Sequence, residues 1–155
     1  MIRLALAALA LALTASAPAG AQTYVVRHLD TPTGERDPDL LPRGQAGAAQ
    51  LVKWFRGKRL TAIYLTDFKR TRQTVAPLAT ARTLTPQIYD PADTPALIAR
   101  VRAERGPVLI VGHSNTVPDT VEGLGGTRPA PLKHPDFGDV WTVKSGRSER
   151  VKFTR

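Results

Sequence analysis

Two of the three histidines in this sequence each stand at the end of an apolar run. His28 closes TYVVRH with Arg27 beside it, and His113 closes PVLIVGH with Ser114 after it. A further basic group, Arg70, lies in LTDFKRTRQT, five residues past the apolar run TAIYL. Arginine cannot ligate a metal and repels cations, so two His and two Arg without paired cysteines or carboxylates make a poor metal site. They make a good oxyanion site, because each guanidinium can grip two phosphate oxygens. No metal and no cofactor is expected. A neutral imidazole is a competent nucleophile near neutral pH, its ordinary pKa being about 6.5. Flanking arginines disfavour its protonation and neutralise charge on a phosphoryl group in transfer. Serine hydrolysis is the competing chemistry, since Gly112-His113-Ser114-Asn115-Thr116 approaches the G-x-S-x-G elbow. Thr116 stands where the elbow needs glycine, and no glycine cluster lies upstream to supply an oxyanion loop.

The elements that must position these residues can be read from hydrophobic period. TYVVR is short, β-branched and aromatic, a buried strand. A polar loop rich in Pro, Gly and Asp runs to about Pro42. Ala48, Leu51, Val52 and Phe55 then share one helical face, with the helix ending near Gly57. TAIYL is a second strand, and Thr66 or Asp67 caps a helix over residues 68–82, kinked at Pro77. TPQIYD is a weaker strand. Thr94 supplies a capping hydroxyl and Pro95 the first position of a helix whose Leu97, Ile98 and Val101 face inward. PVLIVG is wholly apolar, hence buried on both faces. A helix over residues 117–124 follows. DVWTVK and ERVKFT, joined through residues 145–148, form a closing hairpin. Strands alternating with helices imply a three-layer α/β sandwich, a mostly parallel central sheet with helices on both faces. Ligands bind such sheets outside the carboxyl ends of the strands, where Arg27, His28 and His113 fall and Arg70 follows closely.

The chain has 155 residues. Its start, MIRLALAALALALTASAPAGAQ, has one charge (Arg3), an apolar run over residues 4–13 and Ala19-Gly20-Ala21. This predicts a secretory signal peptide over residues 1–21, cleaved to leave one domain over residues 22–155. The apolar run is shorter than the ~20 residues of a bilayer span, so no stable membrane insertion is expected after cleavage. There is no cysteine, so the exported domain must rest on its core alone, as suits the bacterial periplasm. The formal charge is +9, but the 22 Lys and Arg are scattered and aromatics make up only 6%. That pattern argues against nucleic acid and for a small anionic substrate.

Four segments carry a family resemblance. VVRHLDT, LLPRGQAGAAQL, LTDFKRTRQTVAPLA and VLIVGHSNTVP, in that order, resemble the motifs of the histidine phosphatase (phosphoglycerate mutase-like) superfamily. The resemblance implies that His28 takes up the phosphoryl group as nucleophile. Arg27, Arg70 and His113 would then bind that group and stabilise the transition state, Ser114 would be a supporting phosphate donor, and water would hydrolyse the phosphohistidine.

Two positions depart from the family pattern. Leu29 stands where the family has glycine or alanine, which predicts a crowded phosphate pocket. The general acid, usually Glu or Asp after the second-arginine helix, falls on Asp93, with Asp90 and Asp30 as alternatives. Asp93 could equally support the helix start at Thr94, and Asp90 could end a strand. Without an acid, phosphohistidines and acyl phosphates remain as substrates, since their leaving groups need no protonation. The expected function is an exported phosphatase acting on a phosphomonoester or phosphoramidate. A mutase is disfavoured, because the long insertions that enclose a bisphosphate are missing. The alternative is a non-catalytic phosphate- or anion-binding module of the cell envelope. Residues 126–139, the longest irregular stretch, are expected to overhang the pocket with Lys133 and His134.

Overall fold

The computed structural model describes residues 21–154. The signal-peptide reading of residues 1–21 lies outside the described residues, Ala21 excepted. Six strands and four helices follow in the order β1 (Thr23–Arg27), α1 (Pro42–Trp54), β2 (Ala62–Leu65), α2 (Lys69–Arg82), β3 (Gln87–Ile88), α3 (Thr94–Ala103), β4 (Val108–Gly112), α4 (Thr116–Gly123), β5 (Asp139–Lys144) and β6 (Arg147–Lys152). The sheet runs β3-β2-β4-β1-β5-β6. Its first four strands are parallel, and β5 and β6 add an antiparallel edge.

The pleat sorts the strand residues onto two faces. Tyr24, Val26, Ile63, Leu65, Leu109 and Val111 pack with Leu51 of α1, with Phe55 just past its end, and with Val75 and Leu78 of α2. Val25, Ala62, Tyr64, Val108 and Ile110 pack with Leu97 and Val101 of α3 and Val117 and Val121 of α4. This is the expected three-layer α/β sandwich. Strands β1 and β4 are buried throughout because helices cover both faces, which is why their sequences are apolar rather than alternating. Each fully buried Val, Leu or Ile stabilises the fold by about 1.5–3 kcal/mol, so these two strands anchor the sheet. Among the described residues no helix is long and apolar enough to cross a membrane.

Several element ends differ from the sequence reading. The cap of α3 is Asp93, whose Oδ1 accepts the Ala96 N–H at 2.9 Å, so Thr94 is the first helical residue rather than the cap. A carboxylate one residue earlier reaches the third helical N–H and takes the role the hydroxyl was given. Helix α2 starts one residue late, and neither Thr66 nor Asp67 caps it. Asp37, from the distant polar loop, accepts the Lys69 N–H at 3.0 Å. The β5–β6 hairpin turns on Ser145 and Gly146 alone, at φ 49° and 74°, and β6 pairs from Arg147. Left-handed conformations at both turn residues match the twist of the flanking strands, so the four-residue connection contracts to two.

Candidate active site

Parallel pairing of β1 with β4 sets Arg27 opposite Gly112, so the residues that follow, His28 and His113, emerge side by side. The His28 N–H donates to the Gly112 carbonyl at 2.9 Å, and the two imidazole centroids are 5.3 Å apart. Gly112 is required by close approach. A Cβ there would lie 2.6 Å from Thr116 Oγ1 and 3.0 Å from the Tyr89 hydroxyl. Without it, Thr116 at the start of α4 comes near enough to accept the His113 N–H at 2.9 Å.

The hydrogen bonds fix both tautomers. Nδ1 of His28 lies 2.9 Å from the Leu29 carbonyl, and a carbonyl only accepts, so Nδ1 carries the proton and Nε2 keeps its lone pair. Nδ1 of His113 lies 3.4 Å from Nη2 of Arg70, which only donates. The His113 proton is therefore on Nε2, which donates to Thr66 Oγ1 at 2.8 Å. Burial lowers the His28 pKa to about 3, with His113, Arg27 and Arg70 adding to the effect and the Leu29 carbonyl opposing it. Burial, then Arg70 and Arg27, lower His113 to about 4, with Asp37 opposing. Both rings are therefore neutral at physiological pH.

Each arginine is anchored to the loops through Nη1 and stacked on a ring. Arg27 donates from Nη1 to the carbonyls of Lys133 at 2.8 Å and Asp136 at 3.2 Å, and its guanidinium sits 4.1 Å from the Phe137 ring centroid. Its Nε is buried without a hydrogen-bond partner. A buried, unpaired guanidinium donor beside two histidines is suited to an anion oxygen. Arg70 donates from Nη1 to the Arg36 carbonyl at 3.1 Å and to Asp37 Oδ1 at 3.3 Å, with its guanidinium 4.4 Å from the Phe68 ring centroid. Burial lowers both arginine pKa values, yet guanidinium stays charged at any physiological pH.

The structure thus brings Arg27, His28, Arg70 and His113 together. Ser114 is half-buried beside His113, and among the described residues its hydroxyl has no hydrogen-bond partner. No hydrogen bond or ion pair joins Asp93 to the four; it is exposed and caps α3. Asp90 accepts the Ala92 N–H at 2.8 Å, and Asp30 pairs with Arg43 at 2.6 Å. Leu29, expected to crowd the pocket, instead packs its side chain fully buried with Leu40, Ala48 and Phe153. Gly47 makes room for it, since a Cβ there would come within 3.1 Å of Leu29 Cδ1. The segment over residues 126–139 does reach the site, but through backbone carbonyls and Phe137. The Lys133 side chain is exposed, and His134 Nε2 is 3.1 Å from the Thr31 carbonyl. Asp37, Thr66, Phe68 and Phe137 are site neighbours that the sequence did not reveal. Asp37 lies in the loop that was read only as rich in Pro, Gly and Asp, and its reach to Arg70 has no local signal in the sequence. Among the described residues no group of His, Cys, Asp or Glu could hold a metal ion.

Two histidines and two arginines gathered at the carboxyl ends of parallel strands form a cationic, donor-rich pocket of the kind suited to a phosphoryl group. The histidine phosphatase superfamily (branch 1) model matches residues 22–92, which carry Arg27, His28 and Arg70; β1–β4 pairing then adds His113 from beyond that segment. Through residues 22–92 the chain is matched to the histidine phosphatase superfamily. Among solved structures, the protein histidine phosphatase SixA complexed with tungstate is 18% identical, with a TM-score of 0.64 over 84% of this chain and 94% of that one. The alpha-ribazole phosphatase of Shigella flexneri is 14% identical, with a TM-score of 0.67 over 86% and 96%. A mycobacterial glucosyl-3-phosphoglycerate phosphatase in complex with inorganic phosphate is 14% identical, with a TM-score of 0.66 over 87% and 97%. At these identities the likeness is one of fold. No curated protein matched the sequence.

Proposed function

We propose that this chain is an exported phosphatase that hydrolyses a small phosphomonoester or phosphoramidate through a phosphohistidine on Nε2 of His28. The observation that carries the reading is the bond from His28 Nδ1 to the Leu29 carbonyl, which leaves Nε2 unprotonated beside Arg27, Arg70 and His113. In the first step the Nε2 lone pair attacks phosphorus, and the bond from phosphorus to the leaving oxygen or nitrogen breaks. In the second step water attacks, the P–N bond breaks, and inorganic phosphate departs while His28 recovers its lone pair. Arg27 offers its unpaired Nε, and Arg70 its Nη2, to the equatorial oxygens, where charge must be neutralised. The Ser114 hydroxyl is free to donate to the same oxygens.

Asp93 is assigned the proton transfer to an alkoxide leaving group, through the carboxylate oxygen its capping bond leaves free. Export rests on residues 1–21, and N-terminal sequencing of the mature protein should begin at Gln22. A second reading, the anion-binding module, is favoured by one observation: Asp30, Asp90 and Asp93 are each engaged elsewhere. Turnover of 4-nitrophenyl phosphate, lost in His28→Ala, decides between them. A module would bind phosphate and release no nitrophenol.

A further inference from the structure

We propose that the cavity walled by Phe68 is the leaving-group subsite of the phosphatase, and that it takes an apolar-bodied alcohol or amine bearing a positive charge. The inference rests on the reading above and adds the substrate class to it. Phe68 joins the two regions. Its ring stands edge-on to His113 at 5.2 Å between centroids and lies 4.4 Å from the Arg70 guanidinium carbon. The same residue lines a cavity of about 580 Å³ together with Ile88, Tyr89, Asp90, Asp93 and Ala96. A group leaving a phosphoryl held by His113 and Arg70 has this space beside it.

The lining states what would fit. Phe68, Tyr89 and Ile88 supply apolar surface, and Ile88 is 42% exposed, the exposed large hydrophobic among the described residues. Covering it with a substrate body withdraws apolar area from water and stabilises the complex. Four charged groups line the cavity: Asp67, Asp90, Asp93 and Arg100. Asp67 is paired with Arg72. Arg100 donates to the Ile88 carbonyl and to Gln87 Oε1, and its guanidinium lies 4.8 Å from the Tyr64 ring centroid. Asp90 and Asp93 each use one oxygen on a backbone N–H and form no ion pair; with Asp67 paired to Arg72, these two carboxylates outweigh the one guanidinium of Arg100, and the cavity lining is negative in a chain of net charge +9. A cationic group is therefore drawn in, while an anionic one is repelled.

Three substrates test this: acetyl phosphate, too small to fill the cavity, and the aryl pair 4-(aminomethyl)phenyl phosphate and 4-carboxyphenyl phosphate. The full enzyme should prefer the aminomethyl ester in kcat/KM by about tenfold, the scale of one attractive against one repulsive contact with half-solvated carboxylates. Ala96→Phe fills the cavity from an exposed helical position, so it should fold. It should lower kcat/KM for the aminomethyl ester by about tenfold, the loss expected when a phenyl-sized apolar contact is excluded. Acetyl phosphate turnover should be unchanged. Equal kcat/KM for the two aryl esters, or an equal effect of Ala96→Phe on all three substrates, overturns the subsite and leaves the phosphatase standing. Failure to turn over any of the three overturns the phosphatase reading and the subsite with it.

Discussion

Asp37 Oδ1 lies 3.3 Å from Nη1 of Arg70 and, at the same time, 3.0 Å from the Lys69 backbone nitrogen. One carboxylate in the loop before α1 therefore caps α2 and orients the guanidinium that α2 carries. With Nη1 engaged, Nη2 is left turned to His113. Arg70→Ala should lower kcat/KM by ~10³-fold, the scale of removing a transition-state charge partner in phosphoryl transfer. Asp37→Ala should cost about 0.5–2 kcal/mol in urea unfolding as a lost cap, and about tenfold in kcat/KM as Arg70 loosens. Asp37→Asn keeps the acceptor and should recover most of the stability. Wild-type kinetics in a folded Arg70→Ala protein would remove Arg70 from the site.

Stability should depend on pH through the two buried histidines. Their folded pKa values, about 3 for His28 and about 4 for His113, lie below the unfolded value of ~6.5. Between those limits the unfolded chain binds more protons than the folded one, so stability falls as pH falls. The loss should begin near pH 6.5, continue to about pH 3–4 and level off below that. Thermal melts from pH 7.5 to 4 measure it, and His28→Ala should flatten the slope. Phosphate or vanadate, if the folded site takes it up as proposed, should raise Tm by mass action. A wild-type slope unchanged by His28→Ala would show that His28 is not held neutral by burial.

Asp93 has two roles to separate. As a cap for α3, Asp93→Asn should cost stability by no more than about 2 kcal/mol and affect all substrates equally. As the acid, it should slow alkyl phosphate hydrolysis by roughly 10²–10⁴-fold and nearly spare aryl esters, whose phenolates leave unaided. The same comparison on Asp90→Asn and Asp30→Asn serves as control. A leaving-group-dependent defect at either, with none at Asp93, would move the role there.

The strand-borne half of the site was legible because a buried parallel strand writes itself as an unbroken apolar run. TYVVR and VLIVG are buried throughout and end just before His28 and His113. Arg70 was legible from its place just inside a helix. What escaped was supplied by loops. Asp37, the Lys133 and Asp136 carbonyls and Phe137 reach the arginines across long sequence separations, and no local period encodes such reach. Leu29 misled for a related reason. A motif position suggests a pocket wall, but which way the side chain turns depends on Gly47 of α1, which leaves space for it.

The phosphorylated intermediate tests the account most directly. The enzyme should be mixed briefly with a labelled aryl phosphate, quenched in alkali where phosphohistidine survives, and digested for mass spectrometry. The label should fall on His28, and ³¹P NMR should assign it to Nε2, because Nδ1 is occupied by its bond to the Leu29 carbonyl. His28→Ala should abolish both label and turnover. Label on Ser114, or undiminished turnover in His28→Ala, would contradict the account.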